Sequence, residues 1–234
     1  HLNAISFETN SSKLMQIQQF IFGLLLCGIQ TFAQTEATSL PKVLIIGDSI
    51  SNGYTKPLTE LLAGKATVIH NPGNAQHSAF GLKNLEKWLG DTQWDVIHFN
   101  HGLHDLKYVD DNGKNTTSKE IGHIQIGLKA YEKNMETIVL RLKQCGAALI
   151  FATTTPYPDK PAGPLREAFQ AAKYNEVALE IMKKHEISVN DLYSFTLPRL
   201  KELQQPKNVH FTKQGSIVLA QEVQKHVMKE LDAR

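Results

Sequence analysis

Ser49 stands where an apolar run stops. The segment Lys42-Val-Leu-Ile-Ile-Gly-Asp-Ser-Ile-Ser51 reads as a short buried strand that ends on Gly47-Asp48-Ser49. A serine at such an exit is placed to act as a nucleophile, but its hydroxyl needs a base to take its proton. Ten histidines are available, and His210 is the best placed of them. It follows a proline-containing turn, Gln205-Pro-Lys-Asn, and precedes Thr212, a good N-cap for a final helix. Standing alone it would read as a surface histidine near a helix end. A developing oxyanion also needs donors aimed at it, and the Ser49 N–H at the start of a helix is a natural one. Together these groups describe acyl transfer through a serine.

The elements needed to hold them are legible. Strand-like runs fall at Val43–Ile46, Thr67–His70, Asp95–Asn100, Ala147–Thr153 and Ile187–Asn190. They lack strict polar alternation, as strands buried on both faces do. Helical patterns lie between them. Ile124, Leu128, Tyr131, Met135, Ile138 and Leu142 share one face, as do Ala220, Val223, Val227 and Leu231 near the end, and a further helix is expected over about Pro164 to Lys184. This alternation predicts an α/β fold with a parallel sheet between two helical layers, and ligands in such sheets bind outside the carboxyl ends of the strands. Ser49, Asn71 to Ser78, His101 to Asp105, Thr154 to Pro158 and Asp191 all fall just after strands. Two long polar loops, Lys107–Lys119 and Thr154–Gly163, leave from the same edge and could shape a cleft.

Composition excludes several classes. A net charge of +2 with scattered basic residues gives no nucleic-acid stripe. No His-Glu-x-x-His pattern exists, and His98, His101 and His104 recur every third residue, so the first two point apart on a strand; no metal is expected. The loop after the first strand lacks the glycine pattern of a dinucleotide or phosphate site, and Asp48 would repel phosphate. Residues 1–33 read as a leader, with residues 15–33 as a signal peptide: Phe20–Ile29 is apolar but too short to span a bilayer, and Thr31-Phe-Ala33 fits a cleavage site. That reading predicts a secreted or periplasmic protein, with one domain over 34–234 and no stable membrane insertion once the leader is cleaved. A lipoprotein reading on Cys27 is weakened by the leucine before it. Cys145 is then the one cysteine left, a structural thiol.

With these motifs in place, the chain from about residue 42 to 230 resembles the SGNH/GDSL hydrolase superfamily. The resemblance implies a three-layer α/β/α sandwich with a five-stranded parallel, flavodoxin-like sheet, and no cofactor. Gly47-Asp48-Ser49-Ile50 resembles the first family block, implying that Ser49 is the nucleophile and an oxyanion donor through its N–H. In Asn71-Pro-Gly-Asn-Ala-Gln-His-Ser78 the second donor would be the N–H of Gly73 or Gln76. Gly102-Leu103-His104-Asp105 departs from the family's Gly-x-Asn-Asp. His104 replaces the donating asparagine, and a neutral imidazole can also donate one N–H; Asn100 is the alternative donor. Lys207-Asn-Val-His210 keeps the base but puts Lys207 where the family has a carboxylate. Three arrangements fit: a Ser-His dyad steadied by a backbone carbonyl, support from another carboxylate such as Asp191, or a degraded site. Asp48 and Asp105 are further supporting candidates.

The resemblance implies a serine ester hydrolase acting on a small-molecule or carbohydrate ester. The polar loops lean toward short acyl groups such as acetyl on sugars, with Tyr108 and Tyr157 as substrate-binding surfaces; Trp94 is also aromatic, although core packing suits it better. A lipase, lysophospholipase or thioesterase of the same fold, or a non-catalytic carbohydrate-binding descendant, are the alternatives.

Overall fold

Alternate residues of each central strand feed two different cores. In β1 (Lys42–Ile46), Leu44 and Ile46 face one side and Val43 and Ile45 the other, and all four are buried. The same division runs through β3 (Val96–Phe99) and β6 (Ala148–Ala152), which is why these strands read as continuous apolar runs. The computed structural model describes residues 39–234, so the leader and signal-peptide segment lies outside the described residues.

Five strands form one parallel sheet. With β2 at Thr67–His70 and β7 at Ser188–Asn190, the order is β2-β1-β3-β6-β7. The α/β sandwich expected from the sequence is therefore present, with strand ends differing by a residue or so. Helices α1 (Ser49–Leu61) and α7 (Lys213–Asp232) cover one face through Tyr54, Leu58, Leu219, Val223 and Val227. The other face is covered by α2 (Ser78–Leu89), α3 (Leu128–Lys143) and α4 (Gln170–His185). Phe99 and Phe151 meet edge-on there with ring centroids 5.5 Å apart. Two short helices, α5 (Leu192–Thr196) and α6 (Leu200–Leu203), lead from β7 towards α7.

Two expected helices begin later than their apolar spacing suggests. Ile124 belongs to β5 (His123–Ile124), which pairs antiparallel with β4 (Tyr108–Val109). The backbone N–H groups of Gln125 and Ile126 donate to Lys107 O and Asp105 O, so the chain is held extended until Gly127. Likewise, residues 164–169 precede α4 rather than join it. Leu165 donates to Thr116 O and accepts from the Tyr108 N–H, which ties this segment to the hairpin instead. Trp94 is buried at the amino end of β3 and donates to Leu89 O at 2.9 Å, a core role. Cys145 is half-buried with the Arg141 guanidinium 3.3 Å from its sulfur.

The order in which the chain adds strands reverses at β1, with β2 on one side of it and β3 on the other. Ligand crevices form at the carboxyl ends on such a switch point, and Ser49 and His104 leave the sheet on its two sides.

Candidate active site

The turn after β1 is built to present Ser49. Gly47 donates to Asn71 Oδ1 at 2.8 Å, joining the exits of β1 and β2. A side chain at Gly47 would strike Ser51 Oγ, 2.5 Å from an added Cβ, so the tight turn needs glycine. Asp48 caps α1, accepting from the Ile50 N–H at 2.9 Å. Ser49 is the first helical residue, so its N–H has no partner within the helix and lies at the positive end of the dipole.

His210 arrives from the opposite end of the chain on a loop fixed at both ends. Its carbonyl accepts from Gln205 N, Gln204 Nε2 donates to Pro156 O and Val209 O, and Thr212 caps α7 by accepting from Gly215 N at 2.9 Å. His210 Nε2 lies 2.9 Å from Ser49 Oγ, which is hydrogen-bond distance for a nucleophile and its base. His210 Nδ1 lies 2.8 Å from Asn208 Oδ1. That oxygen also accepts the His210 backbone N–H at 3.1 Å. A backbone N–H can only donate, so the atom there is the amide oxygen, and it must accept from Nδ1–H as well. The proton on Nδ1 leaves the Nε2 lone pair facing the serine hydroxyl.

Asn208 is the residue that sequence reasoning missed. It occupies neither the carboxylate position, which is Lys207, nor any other family position. The available signal was local: an asparagine two residues before a histidine in a turn is disposed to form an Asx-turn. Asp191 does not reach His210. It caps α5, with Oδ1 accepting from Thr153 Oγ1 at 2.9 Å and from Ser194 N.

On the oxyanion side, the Gln76 N–H is already donated to Asn74 Oδ1 at 2.7 Å, and Gly73 is exposed outside the cleft. Neither fits as a donor; Asn74 is the residue of this loop that lines the cleft. Asn100 is also excluded, because its amide donates to Ala152 O at 2.7 Å across the ends of β3 and β6. His104 does line the cleft, with Nε2 3.8 Å from Asp48 Oδ2. Burial, with Lys107 and Arg166 nearby, pushes its pKa down to about 3, so it is a neutral imidazole able to donate one N–H. Asp48 is buried, and that burial raises its carboxyl above the usual range, against the pull of Arg166 and His210.

Asp105 is a bolt rather than a cleft group. Its Oδ1 accepts from the Ser78 N–H at 2.9 Å and from the Ser78 hydroxyl, fixing the start of α2. The two tyrosines expected to bind substrate also turn away from the cleft. Tyr157 is buried and donates to Glu167 O at 2.7 Å, and the Tyr108 hydroxyl lies 3.4 Å from Glu167 Oε2. The cleft over Ser49 and His210 has a volume of about 310 Å³, and Arg166 and Lys107 line it without any signal in the sequence. Among the described residues no group of His, Cys, Asp and Glu could hold a metal ion, and no helix is long and apolar enough to cross a membrane.

Solved structures share this architecture. An acetyl xylan esterase, AlAXEase, superposes with a TM-score of 0.64 at 15% identity, covering 80% of this chain and 99% of that one. This is the fold of the SGNH/GDSL hydrolases. A lipase/acylhydrolase from Enterococcus faecalis matches the SGNH fold of this chain with a TM-score of 0.63 at 23% identity, covering 80% of this chain and 95% of that one. A catalytic mutant of Axe2, an acetylxylan esterase from Geobacillus stearothermophilus, gives 0.64 at 19% identity over 80% and 94%. No protein-family model and no curated protein matches the chain.

Proposed function

We propose that this SGNH-fold chain is a serine ester hydrolase in which Ser49, His210 and Asn208 act as one unit. The observation that carries the reading is the relay from Ser49 Oγ to His210 Nε2 at 2.9 Å and from His210 Nδ1 to Asn208 Oδ1 at 2.8 Å. Ser49 Oγ attacks the ester carbonyl while its proton passes to His210 Nε2. The tetrahedral oxyanion is met by the Ser49 N–H, the neutral His104 imidazole and the Asn74 amide, whose oxygen is already held by Gln76. The intermediate collapses as His210 returns the proton to the leaving alkoxide. Water then attacks the acyl-Ser49 ester with His210 again taking a proton, releasing the acid. No step calls for a cofactor.

Short acyl groups, acetyl above all, on carbohydrate alcohols are the substrates this reading favours. A cleft lined by Asn74, His104, Asn115 and Asn208 is polar, and acetyl xylan esterases stand among the structures with this fold. The leader-like residues 15–33 support export, so the amino terminus of protein recovered outside the cell is expected at Gln34 by terminal sequencing. The activity is tested with p-nitrophenyl acetate: turnover is expected for the wild-type protein, with a loss of at least about a thousandfold in Ser49→Ala. Equal rates for the two proteins would remove Ser49 from the chemistry.

A further inference from the structure

Two cations stand in the cleft beside Ser49, and no Asp or Glu among the described residues lines it. Arg166 is only 6% exposed. Its Nε–H donates to Leu103 O at 3.1 Å, and no carboxylate among the described residues lies within ion-pair distance of it. Lys107, half-buried in the same cleft, likewise has no ion-pair partner among the described residues. Taking an arginine out of water without a partner is unfavourable, and each cation raises the cost of the other. Burial lowers both below their ordinary ranges, and the charge of Arg166 lowers Lys107 further. The carboxylate whose field reaches Arg166 is Asp48, one oxygen of which caps α1. A planar guanidinium with its Nε committed still has two NH₂ groups, a fork that matches a carboxylate.

The position of Arg166 says which half of an ester it would meet. The leaving oxygen must reach His210 Nε2, so the alcohol lies against the base loop. That wall continues into residues 162–166, because the Ala162 N–H donates to Lys207 O at 2.7 Å. Ala162, Pro164 and Arg166 all line the cleft, and the Arg166 side chain runs from this wall to Leu103 O.

We infer that the alcohol half of the substrate carries a carboxylate, received by Arg166 and Lys107, so that the substrate class is an O-acetylated sugar acid rather than an acetylated neutral sugar. This rests on the ester-hydrolase reading above and narrows it. The test compares acetate release by the full chain from an O-acetylated uronic acid glycoside and from the same glycoside with its carboxyl converted to the carboxamide. The wild-type protein should prefer the acid by about tenfold or more in kcat/KM, and the preference should shrink as ionic strength rises. In Lys107→Gln, and separately in Arg166→Gln, the ratio of acid to amide should fall towards one; the half-exposed Lys107 keeps the test usable if the buried arginine variant does not fold. Equal rates on acid and amide in the wild-type protein, with p-nitrophenyl acetate turned over, would overturn the carboxylate inference alone. So would a preference that survives both substitutions, which would leave Arg166 as a counter-ion for Asp48. Failure on p-nitrophenyl acetate as well would remove the ester-hydrolase reading and this inference with it.

Discussion

Asn208 carries the sharpest prediction, because a neutral amide does the positioning that a carboxylate does elsewhere. Its Oδ1 holds His210 Nδ1 at 2.8 Å and His210 N at 3.1 Å. Replacing it with leucine keeps the bulk and removes the acceptor of both bonds. The lost neutral hydrogen bond is worth about 1 kcal/mol, and freeing the imidazole to adopt the wrong tautomer adds to that. A barrier increase of about 1.4–2.8 kcal/mol corresponds to a fall in kcat of about 10- to 100-fold. This is milder than the loss expected for Ser49→Ala, because the nucleophile and the base both remain. Asn208→Asp should act in the opposite direction. A carboxylate on Nδ1–H makes a charge-assisted bond about twice as strong, and the extra stabilisation is gained wherever His210 is cationic, in the transition state and in the protonated free enzyme alike. The expected result is equal or higher kcat, with the acid limb of the kcat/KM profile moved to higher pH. Full pH profiles of both variants on p-nitrophenyl acetate are the assay. The reasoning is refuted if Asn208→Leu stays within about threefold of wild type and Asn208→Asp leaves the acid limb where it was.

Buried histidines should make the fold acid-labile. His98, His101 and His104 are held near pKa values of about 3, 4 and 3, chiefly by burial, so the unfolded chain takes up protons that the native one refuses. Their contribution is present above pH 6.5 and lost as pH falls towards 4, at up to about 4 kcal/mol per pH unit; a circular-dichroism midpoint independent of pH over that range would contradict it. Asp105 runs the other way: burial lifts it to about 7 and leaves Oδ2 without a partner, so its contribution is present below pH 3.8 and lost as pH rises through 7. Asp105→Asn, which keeps an acceptor for Ser78, should therefore gain stability relative to wild type as pH rises from 5 to 8 in urea unfolding; a constant difference would mean that the carboxyl ionises normally. Gly102 has φ +147°, and a Cβ there would sit 2.2 Å from Thr154 Oγ1. Gly102→Ala should cost about 2 kcal/mol or more and lower Tm by about 4–8 °C, whereas an unchanged Tm would show that the Thr154 loop yields freely.

The sheet was legible because its strands are buried on both faces. Val43 to Ile46 and Val96 to Phe99 leave no polar residue to face water except His98, which lies in the core edge-on to Tyr54 with ring centroids 6.3 Å apart. Helix starts were less legible, since apolar spacing alone cannot distinguish a helical turn from an extended approach to one. Ile124 fits the spacing of α3 and yet pairs with Tyr108, because Asp105 O and Lys107 O draw the intervening N–H groups out straight. Ser49 was found because an apolar strand stops just before it, and His210 because Thr212 marks the helix start that follows it. Arg166 was not found, since a long side chain can bury its stem in many directions and nothing in the surrounding residues fixes which.

The replacement of the usual carboxylate follows from the backbone rather than from any distant residue. Lys207 adopts φ +53°, in the left-handed region, and its carbonyl is taken by the Ala162 N–H at 2.7 Å. That bend lets Asn208 fold over onto His210, two residues on, in an Asx-turn whose second acceptor bond is the imidazole itself. The orienting group and the base then belong to a single turn, so their geometry is set by local sequence and does not depend on two loops meeting. The same bend joins the base loop to the wall that carries Arg166. An aspartate three residues before His210 would add a negative charge to a cleft whose described lining has none, and at an effective dielectric near 20 a charge about 8 Å away changes the potential felt by an anion by about 2 kcal/mol. A neutral orienting amide therefore suits a site that takes a carboxylate, and the absence of the family's aspartate and the unpaired arginine become two aspects of one electrostatic arrangement.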